Sequence, residues 1–308
     1  MSVFRFQCRQ ETVRIGDVSF GGQPGKRRTA LLGSLFYPRH TMVLDRVTGK
    51  VDHVKLEKAL AQLSVAAMET ECPFGLMLFA ETGEAMASYL ELMADRSHAP
   101  LFLDSPSREV RLAGARRAAD MGIADRVVYN TLNAGVTKEE LEGMADAGVR
   151  NAVLLAFNPA DLGTKGKIYL LENGGGILPQ GLIDTARAAG VKNLLLDMAV
   201  LASEQSAGNA LRALIVSKSK WGLPCGCALH NAVESWPMVQ RVKAQEPGIY
   251  RHVDTASTVI PIMAGADFVM FGPIESARRN MHAAAFADDL LRQSTEELRY
   301  DREASGKH

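Results

Sequence analysis

The feature that most constrains the fold is a repeated alternation of short apolar runs with amphipathic segments rich in alanine and glutamate. Eight apolar runs are predicted strands, at residues 30–37, 75–80, 101–104, 126–130, 152–157, 194–197, 224–230 and 268–272. Runs that are apolar at consecutive positions are typical of parallel strands buried on both faces. The amphipathic segments are predicted helices, at residues 54–70, 83–96, 107–121, 138–147, 179–189, 207–221, 252–264 and 275–297.

The junctions between these elements support the same alternation. One glycine stands where a predicted helix ends and the next strand begins, at Gly122, Gly148, Gly190, Gly222 and Gly265. Glycine adopts the positive φ of such a turn without steric strain. The alternation therefore predicts a closed (β/α)8 TIM barrel that occupies residues 1–308 as a single domain. An open doubly wound sheet is the alternative, and the absence of a GxGxxG motif after the first strand favours the barrel.

Two segments fall outside the eight repeats. Residues 1–28 contain VRIGDVSFGGQPG, which predicts an N-terminal β-hairpin that closes the bottom of the barrel. Residues 157–177 are longer than a plain connection between a strand and a helix. Their GGG run predicts either a mobile lid or a solvated loop.

Charge and cysteine content narrow the possible functions. Lys and Arg together number 35, as do Asp and Glu, so the formal net charge is zero. This balance argues against a nucleic-acid or anionic-membrane partner and permits a homodimer. No apolar stretch reaches the length of a membrane span, no signal-peptide pattern opens the chain, and only 4 cysteines occur. The sequence therefore predicts a soluble protein of the reducing cytoplasm.

Polar side chains follow the predicted strands at the point where each strand ends. In chain order they are Ser34, Tyr37, Glu81, Asp104, Asn130, Asn158, Asp197, His230, Asn231 and Glu275. Because active sites of such barrels lie at the C-terminal ends of the strands, these side chains are expected on one rim. Carboxylates and carboxamides, without arginine or lysine, suit a flat heterocycle with N–H groups better than a phosphate. The structural alternative is that each side chain caps the helix that follows, and Asp104 could do only that.

Metal and nucleophile chemistry receive little support from the sequence. Cys225 and Cys227 are one residue apart, a spacing that does not match a usual zinc pair and that predicts small buried apolar residues. A cysteine nucleophile needs a histidine partner, and strand alternation directs His230 away from both cysteines unless the strand ends before it. The other histidines form no cluster along the chain. The sequence therefore predicts no metal site.

Several short sequences resemble one known family. They are GGQPG (21–25), GSLFY (33–37), AETGEAM (80–86), LDSPSREVR (103–111), YNTLNA (129–134), LAFNP (155–159), LDMAV (196–200), HNAVESW (230–236) and ADFVMFGPIESA (266–277). Together they resemble the H subunit of tetrahydromethanopterin S-methyltransferase over nearly the whole chain. Within that family the chain looks like the soluble MtgA-type methyltransferases of glycine betaine demethylation. The resemblance implies a barrel that binds a pterin and takes part in one-carbon metabolism.

The resemblance also implies a reaction and roles for individual residues. The reaction is methyl transfer between a methylcorrinoid on a separate corrinoid protein and a ring nitrogen of tetrahydrofolate, forming methyltetrahydrofolate. Asp104, Asn130 and Asp197 take the positions that hold the pyrimidine edge of the pterin in related barrels. Asn231 takes the position that addresses the reacting nitrogen and is the predicted catalytic residue. No chemical role is assigned to His230.

Glu81 and Asn158 complete the predicted substrate-binding set because they stand at the ends of the second and fifth strands. Three alternatives stay open beside the tetrahydrofolate enzyme. The chain could be a non-catalytic pterin-binding or docking subunit of a methyltransferase complex, or an enzyme specific for tetrahydromethanopterin. A dihydropteroate-synthase-like enzyme is the third, and it needs cationic groups for a pyrophosphate leaving group that the strand ends lack.

Overall fold

The computed structural model describes residues 4–201 and 207–305, so residues 1–3, 202–206 and 306–308 of the predicted domain lie outside the described residues. The strands are β1 (Thr12–Ile15), β2 (Val18–Gly21), β3 (Ala30–Leu35), β4 (Val43–Asp45), β5 (Lys50–Val51), β6 (Phe74–Phe79), β7 (Leu101–Asp104), β8 (Val127–Leu132), β9 (Asn151–Leu155), β10 (Asn193–Asp197), β11 (Cys225–Cys227) and β12 (Phe268–Pro273). The helices are α1 (His53–Thr70), α2 (Gly83–Ala94), α3 (Arg108–Asp120), α4 (Lys138–Asp146), α5 (Thr164–Asn173), α6 (Leu182–Ala188), α7 (Ala207–Lys220), α8 (His230–Ser235), α9 (Pro237–Lys243), α10 (Pro247–Met263) and α11 (Ala277–Ser305).

The predicted barrel is confirmed. Strands β3, β6, β7, β8, β9, β10, β11 and β12 pair in that order, and β12 pairs back onto β3 to close the sheet. Every pairing within the barrel is parallel. Parallel pairing brings all the strand ends to one rim, and it sets Asp104 opposite Asn130 in register. The fold therefore collects on one face the side chains that the sequence spreads over more than a hundred residues.

The N-terminal hairpin is present and fills the opposite end of the barrel. Strands β1 and β2 pair antiparallel, and Val13, Ile15, Val18 and Phe20 are buried in one cluster with inward residues of the barrel strands. The Phe20 ring contacts Phe102 and Phe268 edge to face, at centroid distances of 6.5 and 6.3 Å. Because these apolar side chains take the place of water, the barrel is closed at the N-terminal ends of its strands.

A buried ion pair joins the hairpin to the bottom of the barrel. Lys218 of α7 is fully buried, and its Nζ lies 2.7 Å from both carboxylate oxygens of Asp267. The same ammonium donates to the carbonyl of Gly22 at 3.0 Å, and Asp267 also accepts from the backbone N–H of Cys225 at 2.8 Å. A buried charge requires such a partner and hydrogen bonds. The pair thus connects α7, the hairpin and the start of the seventh barrel strand.

Two regions differ from the sequence prediction. The strand predicted at 224–230 is only Cys225–Cys227, and the chain turns into the short helix α8 at His230. The segment predicted as a lid or solvated loop contains α5, which packs against α6 and α7 and ends at Gly174 with φ 86°. The GGG run therefore terminates a helix, and the interpretation of residues 164–173 as loop was wrong. No helix within the described ranges is long and apolar enough to cross a membrane.

Candidate functional site

A cavity opens at the C-terminal ends of the barrel strands. Its volume is about 490 Å³, and it is lined by residues from seven of the eight strands, from the turns after several strands, including the remaining strand β11, and from the first turn of α3. The lining residues are Ser34, Met77, Phe79, Asp104, Ser105, Pro106, Arg111, Asn130, Thr131, Asn133, Leu155, Asp197, Ala228, His230, Asn231, Met270 and Gly272. The floor is apolar and the walls are polar, which suits a planar ligand with hydrogen-bonding edges.

Asp104 and Asn130 form the first polar wall. Asp104 ends β7 and Asn130 lies on the neighbouring strand, and the Asn130 Nδ2 donates to Asp104 Oδ1 at 3.3 Å. Burial raises the pKa of Asp104 to about 6, although the charge of Arg111 lowers it. Asn130 is buried, and its Oδ1 has no hydrogen-bond partner among the described residues. One carboxyl group and one amide oxygen without a partner therefore belong to residues that line the cavity.

Asp197 forms a second polar wall at the end of β10, two strands from Asn130. Its Oδ1 accepts from the backbone N–H of Ala199 at 3.0 Å. Burial raises the pKa of Asp197 to about 7, while the positive charge of Lys167 and the Ala199 hydrogen bond lower it. Lys167 donates to the carbonyls of Ala156 at 3.3 Å and Ala199 at 2.8 Å, so it braces the turns after β9 and β10. A ligand N–H at this wall would favour the ionised form of Asp197.

The cations near the cavity were missed by the sequence analysis, which expected no arginine or lysine on the rim. Arg111 lines the cavity and is buried, and its terminal amino groups contact the Ser105 carbonyl at 2.6 Å and Glu140 at 2.8 Å. Tyr129 donates to the same Glu140 oxygen at 2.5 Å. Arg111 lies in α3 and Lys167 in α5, so a search restricted to strand ends could not find them. The SREVR sequence (107–111), which places Arg111 in the first turn of the helix after β7, was the sequence signal that could have located this arginine.

His230 and Asn231 lie side by side in the first turn of α8, and both line the cavity. The Asn231 Nδ2 donates to the carbonyl of Val200 at 2.9 Å. The His230 ring packs on Gly272 so closely that a Cβ there would lie 2.5 Å from the ring. The alternation argument that directed His230 away from the cysteines assumed a longer strand. It does not apply, because β11 ends at Cys227.

Two predicted substrate-binding residues lie elsewhere. Glu81 is exposed and pairs with Arg46 at 3.3 Å, outside the cavity lining. Asn158 is buried in the loop before α5, where its Oδ1 accepts from the N–H of Ala160 at 2.9 Å and its Nδ2 donates to Gly175. The structure thus brings together Asp104, Asn130, Asp197 and Asn231, and it assigns local structural contacts to the other two.

The structure shows where the two neighbouring cysteines lie and whether the described side chains could form a metal site. Cys225 and Cys227 are fully buried, and burial raises the pKa of both thiols. This agrees with the interpretation of the two residues as small apolar core. Across residues 4–201 and 207–305, no group of three or more His, Cys, Asp or Glu side chains could hold a metal ion.

The fold is similar to that of solved dihydropteroate synthases. The enzyme from Vibrio fischeri superposes with a TM-score of 0.61 at 17% identity, covering 92% of this chain and 98% of the other. The enzyme from Thermus thermophilus in complex with 4-aminobenzoate superposes with a TM-score of 0.56 at 19% identity, covering 91% and 99%. At this level of identity the likeness establishes the barrel fold and no activity.

Relatives found by sequence are more similar to this chain than these structures are, by sequence identity. The H subunit of the putative methyltransferase mtx from Methanosarcina acetivorans is 35% identical over 306 residues, covering 99% of this chain and 98% of the relative. The H subunit of the tetrahydromethanopterin S-methyltransferase from Methanothermobacter marburgensis is 36% identical over 296 residues, covering 96% of each. Residues 8–302 match the profile of the tetrahydromethanopterin S-methyltransferase MtrH subunit. The chain therefore belongs to the MtrH family, as the resemblance of its short sequences predicted.

Proposed function

We propose that this protein transfers a methyl group between a corrinoid and a ring nitrogen of a reduced pterin. The observation that carries the proposal is the cavity of an MtrH-family chain, which joins Asp104, Asn130 and Asp197 to Asn231 on one rim. A pterin presents ring N–H groups and a carbonyl along its pyrimidine edge. Carboxylates accept from such N–H groups with charge-assisted hydrogen bonds, which are about twice as strong as neutral ones.

Each wall has a role in this scheme. Asp104 and Asp197 accept the N–H groups of the pyrimidine edge, and binding converts both carboxyls to the ionised form. Asn130 fixes Asp104 and offers its free Oδ1 to a further ring N–H. Asn231 contacts the reacting nitrogen and orients its lone pair toward the methyl group. Direct displacement demands little covalent chemistry of the protein, so positioning of the nitrogen supplies most of the acceleration.

The identity of the pterin is the finer part of the proposal. The named relative from Methanothermobacter marburgensis is a subunit of a tetrahydromethanopterin S-methyltransferase, which favours tetrahydromethanopterin over the tetrahydrofolate predicted from the sequence. The MtgA-type activity and glycine betaine demethylation stay predictions. Both pterins share the pyrimidine edge that Asp104, Asn130 and Asp197 address and the ring nitrogen that Asn231 contacts. The choice between them therefore depends on contacts outside this set.

The corrinoid enters this scheme as a substrate on another protein. The relatives are each named as one subunit of a methyltransferase, which indicates proteins that work beside other chains. None of the seven histidines of this sequence lies in a D-x-H-x-x-G lower-ligand motif. We expect the purified protein to be free of cobalt and colourless. A red, cobalt-containing protein would contradict this part of the proposal.

The test is a methyl-transfer assay with purified protein, methylcobalamin, and either tetrahydromethanopterin or tetrahydrofolate. We expect methylpterin to form with at least one acceptor, and Glu81→Gln, outside the cavity, to match the wild type. Pterin binding by calorimetry without transfer would favour the alternative of a non-catalytic pterin-binding subunit. Absence of both binding and transfer would overturn the proposal.

The dihydropteroate-synthase alternative has less support than methyl transfer. That chemistry requires cationic groups for a pyrophosphate leaving group. Both terminal amino groups of Arg111 are engaged by Ser105 and Glu140, and the Lys167 ammonium is bound to two carbonyls. A phosphate would have to compete with these contacts for either cation. Membership of the MtrH family favours methyl transfer over this reaction.

A further inference from the structure

His230 occupies a position that the proposed scheme leaves unexplained. It lines the cavity immediately before Asn231, and its ring is held against Gly272, whose φ of 80° suits glycine. The His230 Nδ1 is buried and has no hydrogen-bond partner among the described residues. A buried ring nitrogen without a partner carries a desolvation cost, which marks it as a group with another use.

A carboxylate stands behind this imidazole. Asp254 of α10 is buried, and its Oδ1 lies 3.8 Å from His230 Nδ1. The gap is about 1 Å longer than a hydrogen bond, so a small ring movement would close it. Asp254 Oδ2 accepts a hydrogen bond from Arg279 of α11, which holds the carboxylate in place.

Other charges face the ring from the neighbouring helices. Glu234 of α8 and Lys243 of α9 act on His230 with opposite sign, and the two side chains pair with each other at 3.0 Å. Burial lowers the pKa of His230, and the charges of Asp254 and Glu234 raise it. The lowering by burial is the larger effect, so the neutral imidazole is favoured and can accept a proton.

Methyl transfer to the pterin requires a proton acceptor. The nitrogen lone pair attacks the methyl carbon, the cobalt–carbon bond breaks, and both of its electrons stay on the corrinoid as cob(I)alamin. The ring nitrogen, a secondary amine before the reaction, then carries both a proton and the methyl group and must lose the proton. In the reverse direction the nitrogen must gain one proton before it can leave. The Asn231 amide can hydrogen-bond to this nitrogen, but it cannot take up the proton.

We propose that His230, backed by Asp254, exchanges this proton with the pterin nitrogen while Asn231 orients it. The inference rests on the proposed function and deepens it. In the forward direction the neutral imidazole accepts the proton from the methylated nitrogen, and Asp254 stabilises the imidazolium. In the reverse direction the imidazolium donates to the nitrogen of the methylpterin. Asp104 and Asp197 are excluded from this role because they hold the pyrimidine edge in the proposed scheme.

The test compares His230→Gln with wild type in both directions across pH 5 to 9. A general acid–base group contributes about 10²–10⁴-fold to rate, so we expect kcat to fall by that factor with pterin affinity unchanged. In the wild type the forward rate should rise with pH and the reverse rate should fall with pH, both through the pKa of His230. In His230→Gln neither rate should depend on pH in this way. His252→Gln, an exposed histidine on α10, is the matched control and keeps both limbs.

A second variant and a measurement without turnover separate this role from a structural one. In Asp254→Asn the loss of the carboxylate lowers the pKa of His230, so the NMR titration of its ring and the forward pH limb both move to lower pH. A His230→Gln enzyme with wild-type rate and pH profile would overturn the inference, as would an unmoved titration in Asp254→Asn. A wild-type protein that binds pterin but transfers no methyl group would instead refute the proposed function.

Discussion

The two ends of the barrel treat buried polar groups in opposite ways. At the bottom, Lys218 and Asp267 satisfy each other, and Asp288 accepts from both the N–H and the hydroxyl of Thr29 at 2.8 Å. At the rim, the residues leave hydrogen-bonding capacity unused. The buried side-chain atoms without a partner in the described part of the chain are Gln10 Oε1, Arg111 Nε, Asn130 Oδ1, His230 Nδ1 and Arg279 Nε. Three of their residues line the cavity, a fourth supports Asp254 behind it, and only Gln10 lies at the bottom.

This difference separates the stabilising end of the barrel from the binding end. A satisfied polar group contributes to the free energy of unfolding, whereas an unsatisfied one opposes folding until a ligand pairs with it. Substitutions at the bottom should therefore change stability and leave ligand binding intact. Substitutions at the rim should do the reverse, and each prediction below tests one side of this contrast.

The largest effect is expected at the bottom. Lys218→Met leaves the buried Asp267 carboxylate without its cation, and breaking a buried pair in this way costs about 3–5 kcal/mol of unfolding free energy. Urea denaturation measures the loss, and pterin affinity of the folded protein should not change. Adding Asp267→Asn removes the unpaired charge and should recover part of the stability. A Lys218→Met protein as stable as wild type would show that the bottom is not the stabilising end.

The next effect is on rate at the rim. In Asn231→Ala the contact to the reacting nitrogen is lost, and by analogy with one lost oxyanion donor the barrier rises by about 2.7–4 kcal/mol, a rate loss of about 10²–10³. Single-turnover kinetics with saturating methylcobalamin measures the chemical step apart from binding. Asn193→Ala is the matched control, because Asn193 lies at the bottom and contacts Asn151 and the carbonyl of Arg14. Equal rate losses in both variants would contradict the predicted role of Asn231.

The strands and the hairpin were easier to predict from the sequence than the polar contacts at either end of the barrel, for a physical reason. Apolar periodicity and helix-ending glycines are local signals, and they located all eight strands and the hairpin. The partners of a polar side chain depend on the tertiary fold instead. Glu81 and Asn158 both follow strands, as Asp104 and Asp197 do, yet Arg46 and the Ala160 loop engage them. Nothing local in the sequence distinguishes these pairs.

Two further misses have the same origin. Arg111 and Lys167 each lie in the first turn of a helix, α3 and α5, and so fall outside a search of strand ends. The seventh strand ends at Cys227, short of the predicted residue 230, although His230 lies on the rim as its place among the strand-end side chains predicted. The family resemblance predicted Asp104, Asn130, Asp197 and Asn231, and all four line the cavity. Their roles toward the pterin stay predictions.

A smaller effect is expected on affinity. Asp104→Ala and Asp197→Ala each remove a charge-assisted acceptor for a ring N–H, which costs about 1.5–3 kcal/mol of binding, or about tenfold to a hundredfold in affinity. Calorimetric titration with the pterin accepted in the transfer assay measures this loss. Glu81→Ala, a strand-end carboxylate outside the cavity, should bind as the wild type does. If both aspartate variants kept full affinity and lost thermal stability, the two residues would be helix caps.

The smallest effect is expected on the free energy of unfolding when a rim carboxylate is replaced. This substitution should stabilise the protein, whereas substitutions at the bottom should destabilise it. The pKa of Asp197 in the folded protein is about 7, above its ordinary value of 3.8, so the folded state binds the proton more tightly than the unfolded chain. The stability that this group contributes is full below about pH 4 and is lost as the pH rises through about 7. Asp197→Asn cannot ionise. It should match wild type at pH 4 and exceed it by about 0.5–2 kcal/mol at pH 8, the usual range of a stabilising substitution.

Lys167 makes this prediction a sharp test of the contrast between the two ends. It keeps its carbonyl acceptors, Ala156 and Ala199, when Asp197 is neutral, so the substitution should not leave a buried cation without partners. Asp288→Asn is the control at the bottom: burial raises the pKa of Asp288 to about 6 as well, but loss of a carboxylate oxygen that accepts from Thr29 should make this variant less stable than wild type. Urea melts of both variants and wild type from pH 4 to 8 give the comparison. If Asp197→Asn were less stable than wild type at pH 8, Asp197 and Lys167 would form a structural ion pair like that of Lys218 and Asp267. The proposed difference between the two ends of the barrel would then be wrong for Asp197.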